Sequence, residues 1–255
     1  MIIQSVRSSG HLRIDQLAEL TGASQVTIRR DLTELETQGS LRRTRGGAAR
    51  SGKYHENVPY HVRAAEEEEA KASLAVAAAS LITDYDSVII DNGTTCHAVA
   101  RELAGRPLTA LCLSLRAAAT LGAVPGVRVI VPGGPVEPDT LAFLGSQVID
   151  AVRDMRADVL LLGACSISAS HGLMAATYED AQLKKASIQS SSKRILIAAA
   201  SKLTQTSNFR FGAAGDITHL ITTSDAPAET LEIFNDEGVD VGDGRARRLT
   251  VGWSP

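Results

Sequence analysis

Several short segments carry groups that could together hold an anion. Asp91-Asn-Gly-Thr-Thr95 lies between an apolar run and a helical stretch, so its backbone N–H groups and two hydroxyls can surround a phosphate with help from the helix dipole. Pro132-Gly-Gly134 and Leu162-Gly-Ala164 place glycine at the ends of two other apolar runs, where a ligand can approach the backbone. Lys184 and Ser201-Lys202 supply cations and a hydroxyl. A glycine-rich strand end taken alone is more often just a tight turn, and the two threonines alone would read as helix caps. Their repetition at successive strand ends favours a phosphorylated or similarly anionic ligand. Asp91, Gly93, Thr94 and Thr95 are expected to form one wall, with Gly133, Gly134, Lys184 and Lys202 contributing from neighbouring ends. Lys184 reads alternatively as a solvated helix lysine.

A second constellation occupies the first fifty residues. Ser24, Gln25, Thr27, Arg29 and Arg30 fall at the N-terminal end of a helical stretch, where a recognition helix presents side chains to base edges and phosphates. Behind them, Leu41-Arg-Arg-Thr-Arg-Gly-Gly-Ala48 reads as a two-stranded wing, its Arg42, Arg43 and Arg45 over the DNA backbone or minor groove. The net charge of −3 conceals a split: residues 1–52 hold eight arginines against five acids, while the remainder holds 18 basic and 24 acidic residues. A basic head on an acidic body is the footprint of a polyanion met by the head alone. All eight head cations are arginine, and a guanidinium grips phosphate oxygens in a fixed geometry, which favours phosphate contact.

The elements that would position these groups follow from periodicity and turn chemistry. Ile14, Leu17, Ala18 and Leu20 share one side of a helix that Asp15 can cap; Gly22 breaks it, Ser24 caps the next, and Gln38-Gly39 ends that one. Val26, Ile28, Leu32 and Leu35 are expected to face inward. Two short helices around a glycine turn, followed by a wing, make a winged helix-turn-helix over residues 1–52. Residues 53–65 read as a linker, with Pro59 and four rings (Tyr54, His55, Tyr60, His61) but no apolar period. Glu66 to Glu69 open a long helix through Ile82, acids favouring its first turn. From there strands are expected at 87–91, 109–113, 127–131, 158–162, 194–198 and 219–223. Helices are expected near 95–103, 116–121, 145–153, 179–191 and 227–237. That βαβ alternation makes residues 66–255 an open, mostly parallel α/β domain, with ligands at the carboxyl ends of its strands.

Composition excludes other classes. With 44% hydrophobic and 22% charged residues the 255-residue chain is ordinary globular protein. Its apolar runs fall far short of the roughly 20 residues of a membrane span, and Met1 to Arg7 lacks the pattern of a signal peptide. Three scattered cysteines (Cys96, Cys112, Cys165) argue against a disulfide framework or zinc site and for a reducing compartment. A cytoplasmic protein with no metal and no cofactor is expected.

The runs Ile14 to Leu20, Ser24-Gln-Val-Thr-Ile-Arg-Arg-Asp-Leu32, Leu35-Glu36, Gly39 and Leu41-Arg42 through Gly46-Gly47-Ala48 resemble the winged helix-turn-helix of the DeoR family of bacterial transcription regulators. Members carry several more charged residues before the position of Ile2, so the first helix is expected to be short. The resemblance continues through Asp91 to Thr95, Gly133-Gly134, Thr140 with Gly145, Leu162-Gly-Ala164, Gly172-Leu173, Lys184 and Ser201-Lys202. These look like the family's sugar-phosphate sensor domain, which is similar to ribose-5-phosphate isomerase and glucosamine-phosphate deaminase. The departures lie in the sugar pocket. The family's Thr-Asn-Ser is Cys112-Leu113-Ser114, keeping only Ser114; its arginine past Gly-Gly is Glu137; its glutamate before the lysine is Asp180; its Asp before Ser-Lys is replaced by Ala199-Ala200.

The resemblance implies a double-stranded DNA operator, a sugar-phosphate-type effector and a repressor of carbohydrate-metabolism genes that its effector releases. One recognition helix per head implies a homo-oligomer, dimer or tetramer, on repeated half-sites. The alternative is a sugar-phosphate isomerase-like enzyme with a DNA-binding head. Such chemistry needs a carboxylate near the carbonyl, and the isomerases carry acids where this chain has Gly163-Ala-Cys-Ser-Ile167; Asp91 and Glu179 remain as acids. Cys165 with His171 as its base is a further catalytic option, although the apolar neighbours of Cys165 favour a structural thiol.

Overall fold

The computed structural model describes residues 1–37, 41–50, 58–168, 171–203 and 205–243. The expected helix stop at Gln38-Gly39, the domain limit at Gly52, and the expected linker residues 53–57 with Tyr54 and His55 lie outside the described residues. The chain divides into two units, Met1–Glu66 and Glu67–Pro255.

The first unit contains α1 (Ile2–Ser9), β1 (His11–Arg13), α2 (Ile14–Thr21), α3 (Gln25–Thr37), β2 (Leu41–Thr44), β3 (Gly47–Arg50) and α4 (Tyr60–Ala65). Ile14 with Leu17 and Ile28 with Leu32, at helical spacing, bury one stripe each against Val6, Leu12, Leu41 and Ala48. Gly22 ends α2 in the left-handed conformation (φ 72°, ψ 7°), its N–H donating to Ala18 O. The strands form an antiparallel sheet in the order β1-β3-β2.

Four expectations are corrected here. Asp15 does not cap α2: the helix starts one residue earlier, the N–H of Arg13 donates to Gln16 Oε1 (2.9 Å), and Asp15 pairs with the Arg13 guanidinium from within the first turn. Leu20 is 54% exposed and Val26 73% exposed. Val26 lies about 160° around the helix from Ile28, so a core centred on Ile28 and Leu32 cannot reach it. Finally, the segment expected as linker contains α4, whose Arg63 guanidinium donates to Val58 O (3.0 Å) and lies 5.6 Å from the Tyr60 ring centre.

The second unit is built on seven parallel strands: β4 (Ser87–Ile90), β5 (Thr109–Cys112), β6 (Arg128–Ile130), β7 (Ala157–Leu162), β10 (Ser191–Ile197), β12 (His219–Ile221) and β13 (Asp240–Gly242). Their order is β13-β12-β10-β7-β4-β5-β6. Successive residues of each central strand feed opposite faces. Val88 and Ile90 pack under α5 (Glu68–Ala79), α6 (Thr94–Leu103) and α7 (Leu115–Gly122), whereas Ile89 packs with α8 (Ser146–Arg153), α9 (Tyr178–Gln189) and α10 (Ala228–Asp236). Burial on both faces is why these strands are continuous aliphatic runs. Helix α5 is shorter than expected: Glu66 and Glu67 form a turn before it, Glu67 at φ 51°, and it stops at Ala79. Beside α9 lies a second, antiparallel sheet of β8 (Ser166–Ser168), β9 (Gly172–Ala175) and β11 (Phe209–Gly212), which the sequence reading did not anticipate, nor did it anticipate β13. Among the described residues no helix is long and apolar enough to cross a membrane.

Candidate functional site

In the first unit, α3 exposes Gln25, Thr27, Arg29, Arg30 and Thr33. Ser24 Oγ accepts the Thr27 N–H (3.1 Å) and lies 2.9 Å from Thr27 Oγ1, so both hydroxyls are engaged in starting the helix. The wing is fastened to the same helix. The backbone N–H of Arg43 donates to Glu36 Oε1 and its guanidinium to Thr33 Oγ1, each at 2.9 Å. Arg43 thus bends toward α3, while Arg42 is exposed and Arg45 stands at the wing tip.

In the second unit the parallel strands all end at one edge. Reading along the sheet, that edge carries Lys202 after β10, Gly163 after β7, Asp91 after β4, Ser114 after β5 and Gly133-Gly134 after β6. The chain reverses its direction of winding between β4 and β7, which opens a crevice between their carboxyl ends, the usual ligand position in such sheets. Asp91 sits there, 1% exposed. Its Oδ2 accepts the Gly163 N–H (2.9 Å) and pairs with Lys184 Nζ. Asp91 Oδ1 is buried and has no hydrogen-bond partner among the described residues.

Helix α9 supplies the opposing charges. Thr177 Oγ1 caps it by accepting the Asp180 N–H (3.2 Å), and the i,i+4 spacing sets Asp180 and Lys184 on one face, 3.4 Å apart. Asp180 also accepts from Asn92 Nδ2 (3.3 Å). Lys184 is therefore neither a free ligand cation nor a solvated helix lysine. Burial pulls its ammonium down, but the charges of Asp180 and Asp91 outweigh that and hold it above the ordinary lysine value. Burial in turn raises the Asp180 carboxyl despite the nearby lysine. Across the crevice, α6 starts at Thr94 with Gly93 as its N-cap and no side-chain cap, so Thr94 and Thr95 lie in the first turn rather than capping it. A Cβ added to Gly93 or Gly133 would meet nothing within 4 Å.

Not every expected residue joins this cluster. Ser114 is 2% exposed and its Oγ accepts the Ala117 N–H (3.3 Å), capping α7. A Cβ on Gly134 would stand 2.9 Å from Leu144 O, so this glycine is required by a neighbouring loop. Glu137, where the resemblance leads one to expect arginine, accepts from Thr140 Oγ1 (2.7 Å) within its own turn. Cys96 and Cys112 are buried, and burial pushes the Cys112 thiol up to about 12. Burial also raises the Cys165 thiol, which feels the charges of Asp180, Lys184 and Lys202. His171 instead has its Nδ1 3.3 Å from Ser168 Oγ and lines a cavity of about 180 Å³ with Arg210, Phe234 and Glu237, of which Cys165 is not a wall. Among the described residues no three His, Cys, Asp or Glu side chains are grouped to hold a metal ion. Asn92 belongs to the cluster although the sequence assigns it no role, and Asp180, which the resemblance marks only as a departure in the sugar pocket, joins it through the i,i+4 spacing to Lys184.

Two family models match the chain. Residues 1–53 match the DeoR-like helix-turn-helix domain and residues 66–224 the DeoR C-terminal sensor domain. The chain is 31% identical over 240 residues to the HTH-type transcriptional repressor GlcR of Bacillus subtilis (strain 168), covering 94% of this chain and 93% of that protein. It is 34% identical over 237 residues to the glycerol-3-phosphate regulon repressor of Haemophilus influenzae (strain ATCC 51907 / DSM 11121 / KW20 / Rd), covering 92% of each. A solved ribose 5-phosphate isomerase A of Methanocaldococcus jannaschii overlaps 55% of this chain and 56% of its own at 16% identity, with a TM-score of 0.40.

Proposed function

Because the chain belongs to the DeoR family of transcription regulators, we propose that it is a repressor of carbohydrate-metabolism genes that an anionic sugar-type effector releases from its operator. The observation that carries this reading is the buried Asp91 Oδ1 in the crevice between β4 and β7, which has no hydrogen-bond partner among the described residues. A buried acceptor left unsatisfied costs about 1–3 kcal/mol, which a donor from a ligand hydroxyl would offset. The uncapped start of α6, with Thr94, Thr95 and the cation of Lys202, suits the anionic end of the same molecule. Lys184 serves this site by holding Asp91 in place. The heads act in pairs on repeated half-sites, which makes the working form a homo-oligomer.

The test joins the two ends of the molecule. Glycerol 3-phosphate, ribose 5-phosphate, their sulfonate analogues and inorganic phosphate are screened by thermal shift, and each hit is titrated into the operator complex. A true effector weakens operator binding by about 1–3 kcal/mol, and operator DNA weakens effector binding by the same factor. Thr94→Val with Lys202→Ala is expected to lose the effector response with operator affinity unchanged. A double variant that still releases DNA at the normal effector concentration moves the site elsewhere.

The DNA face has its own expected result. Arg29→Ala or Arg30→Ala lowers operator affinity without lowering the melting temperature. An arginine that reads guanine loses about 1–3 kcal/mol in a sequence-dependent way; one that contacts phosphate loses affinity uniformly and flattens the salt dependence. Unchanged binding by both variants removes these residues from the interface.

A second reading, catalysis of sugar-phosphate isomerisation, draws on Asp180, whose raised carboxyl lies 3.4 Å from Lys184 in the same crevice. Turnover of ribose 5-phosphate followed by NMR in the absence of DNA decides for it; no turnover decides for the regulator.

A further inference from the structure

Val26 is 73% exposed, yet it lies on the face of α3 directed away from the Ile28 and Leu32 core. Its spacing of i, i+4 and i+7 with Arg30 and Thr33 puts the three on one helix face. The Arg43 guanidinium reaches that face through its 2.9 Å hydrogen bond to Thr33 Oγ1. An isopropyl group thus stands among cations and hydroxyls near the start of the helix. Single exposed apolar side chains are common on protein surfaces and need no account. This one occupies the part of a recognition helix that meets the floor of the major groove. The apolar feature of that floor is the C5-methyl group of thymine; the other base edges offer donors and acceptors.

We infer that Val26 is a specificity-determining residue that reads a thymine methyl in each operator half-site by van der Waals contact. The inference rests on α3 being the recognition helix. Discrimination arises from the methyl itself. In thymine it gains an apolar partner, whereas a cytosine at that place presents only a C5–H and forfeits the contact.

Operators are selected from a random duplex library with the full-length protein. Each thymine of the consensus half-site is then replaced singly by deoxyuridine, which removes only the methyl group. One position is expected to weaken wild-type binding about threefold to tenfold, the scale of a single buried methyl. Val26→Ala keeps the wild-type melting temperature because the side chain is exposed. It binds the unmodified duplex more weakly by a similar factor and is indifferent to uracil at that position. A wild type insensitive to uracil at every position, or a Val26→Ala variant as sensitive as the wild type, overturns the inference and leaves the recognition-helix reading standing. A library that yields no consensus overturns both.

Discussion

Replacing Lys184 by methionine is expected to destabilise the sensor unit by about 3–5 kcal/mol, the cost of leaving a buried charge without its partner. Lys184 and Asp91 are 3% and 1% exposed. Once the ammonium is gone, the Asp91 carboxylate keeps the Gly163 N–H as its remaining hydrogen-bond donor among the described residues and Asp180 as a nearby like charge. With total stabilities of about 5–15 kcal/mol, such a loss is a large fraction of the whole. Urea unfolding of the full chain followed by circular dichroism measures it. The variant Asp91→Asn, Asp180→Asn and Lys184→Met removes all three charges together and is expected to regain much of the loss, since a buried ionic cluster exchanged for neutral groups of similar volume is often neutral. The sign of the pH dependence follows from the raised lysine. Its stabilising contribution is fully present below the ordinary lysine value and disappears only as pH rises through the higher folded value. The lysine's own contribution to that penalty therefore stays constant through neutral pH. A single variant within 1 kcal/mol of wild type would show that the pair does not hold the crevice together.

That pair also marks where sequence reasoning stops. The central strands were legible because Val88-Ile-Ile90 and Val159-Leu-Leu-Leu162 are aliphatic on both faces, and the turns between them carry glycine or helix-starting hydroxyls. Strands β8 and β13 have three residues each, too few for a period to register, and β11 reads Phe-Arg-Phe-Gly, whose burial depends on the α9 and β9 partners that cover it. Asp91 and Lys184 are 93 positions apart and nothing local joins them. Only the reversal of winding between β4 and β7 does so. The sequence placed Lys184 near the crevice by strand order alone, and its role as the anchor of Asp91 needed the fold. Ser114, which the resemblance places in the sugar pocket, caps the following helix by accepting the Ala117 N–H, a role that only the fold shows. In the head, the apolar character of Val26 points inward, although its position relative to Ile28 and Leu32 excludes it from the core stripe.

Alanine at Gly47 is expected to abolish operator binding by unfolding the head. A Cβ there would stand 2.3 Å from Leu12 O and 2.9 Å from the Cα of Arg13, both backbone atoms of the paired strand β1. Neither can swing aside as a side-chain tip would, so the β1–β3 pairing of Leu12 with Ala48 and Arg13 with Gly47 must part. Strand β1 runs directly into α2, and the Ile14 N–H donates to Gly46 O (2.9 Å), so a displaced β1 shifts the helix-turn-helix against its wing. Leu12 and Ala48 lie in the head core and would be uncovered together. Overpacking of this kind costs about 1–3 kcal/mol or more, and a core of this size has little stability to lose. Gly46 provides the comparison. It sits at φ 93° with nothing within 4 Å of its Cβ position, so Gly46→Ala meets only backbone strain of about 1–2 kcal/mol. The two neighbours are glycine for different reasons, and the order of damage follows: Gly47→Ala exceeds Gly46→Ala. Calorimetry of the full chain should show the head transition lost or lowered in Gly47→Ala while the sensor transition is unchanged, with operator binding falling in the same order. Equal melting of the two variants would mean that the close approach of β1 and β3 does not govern the wing.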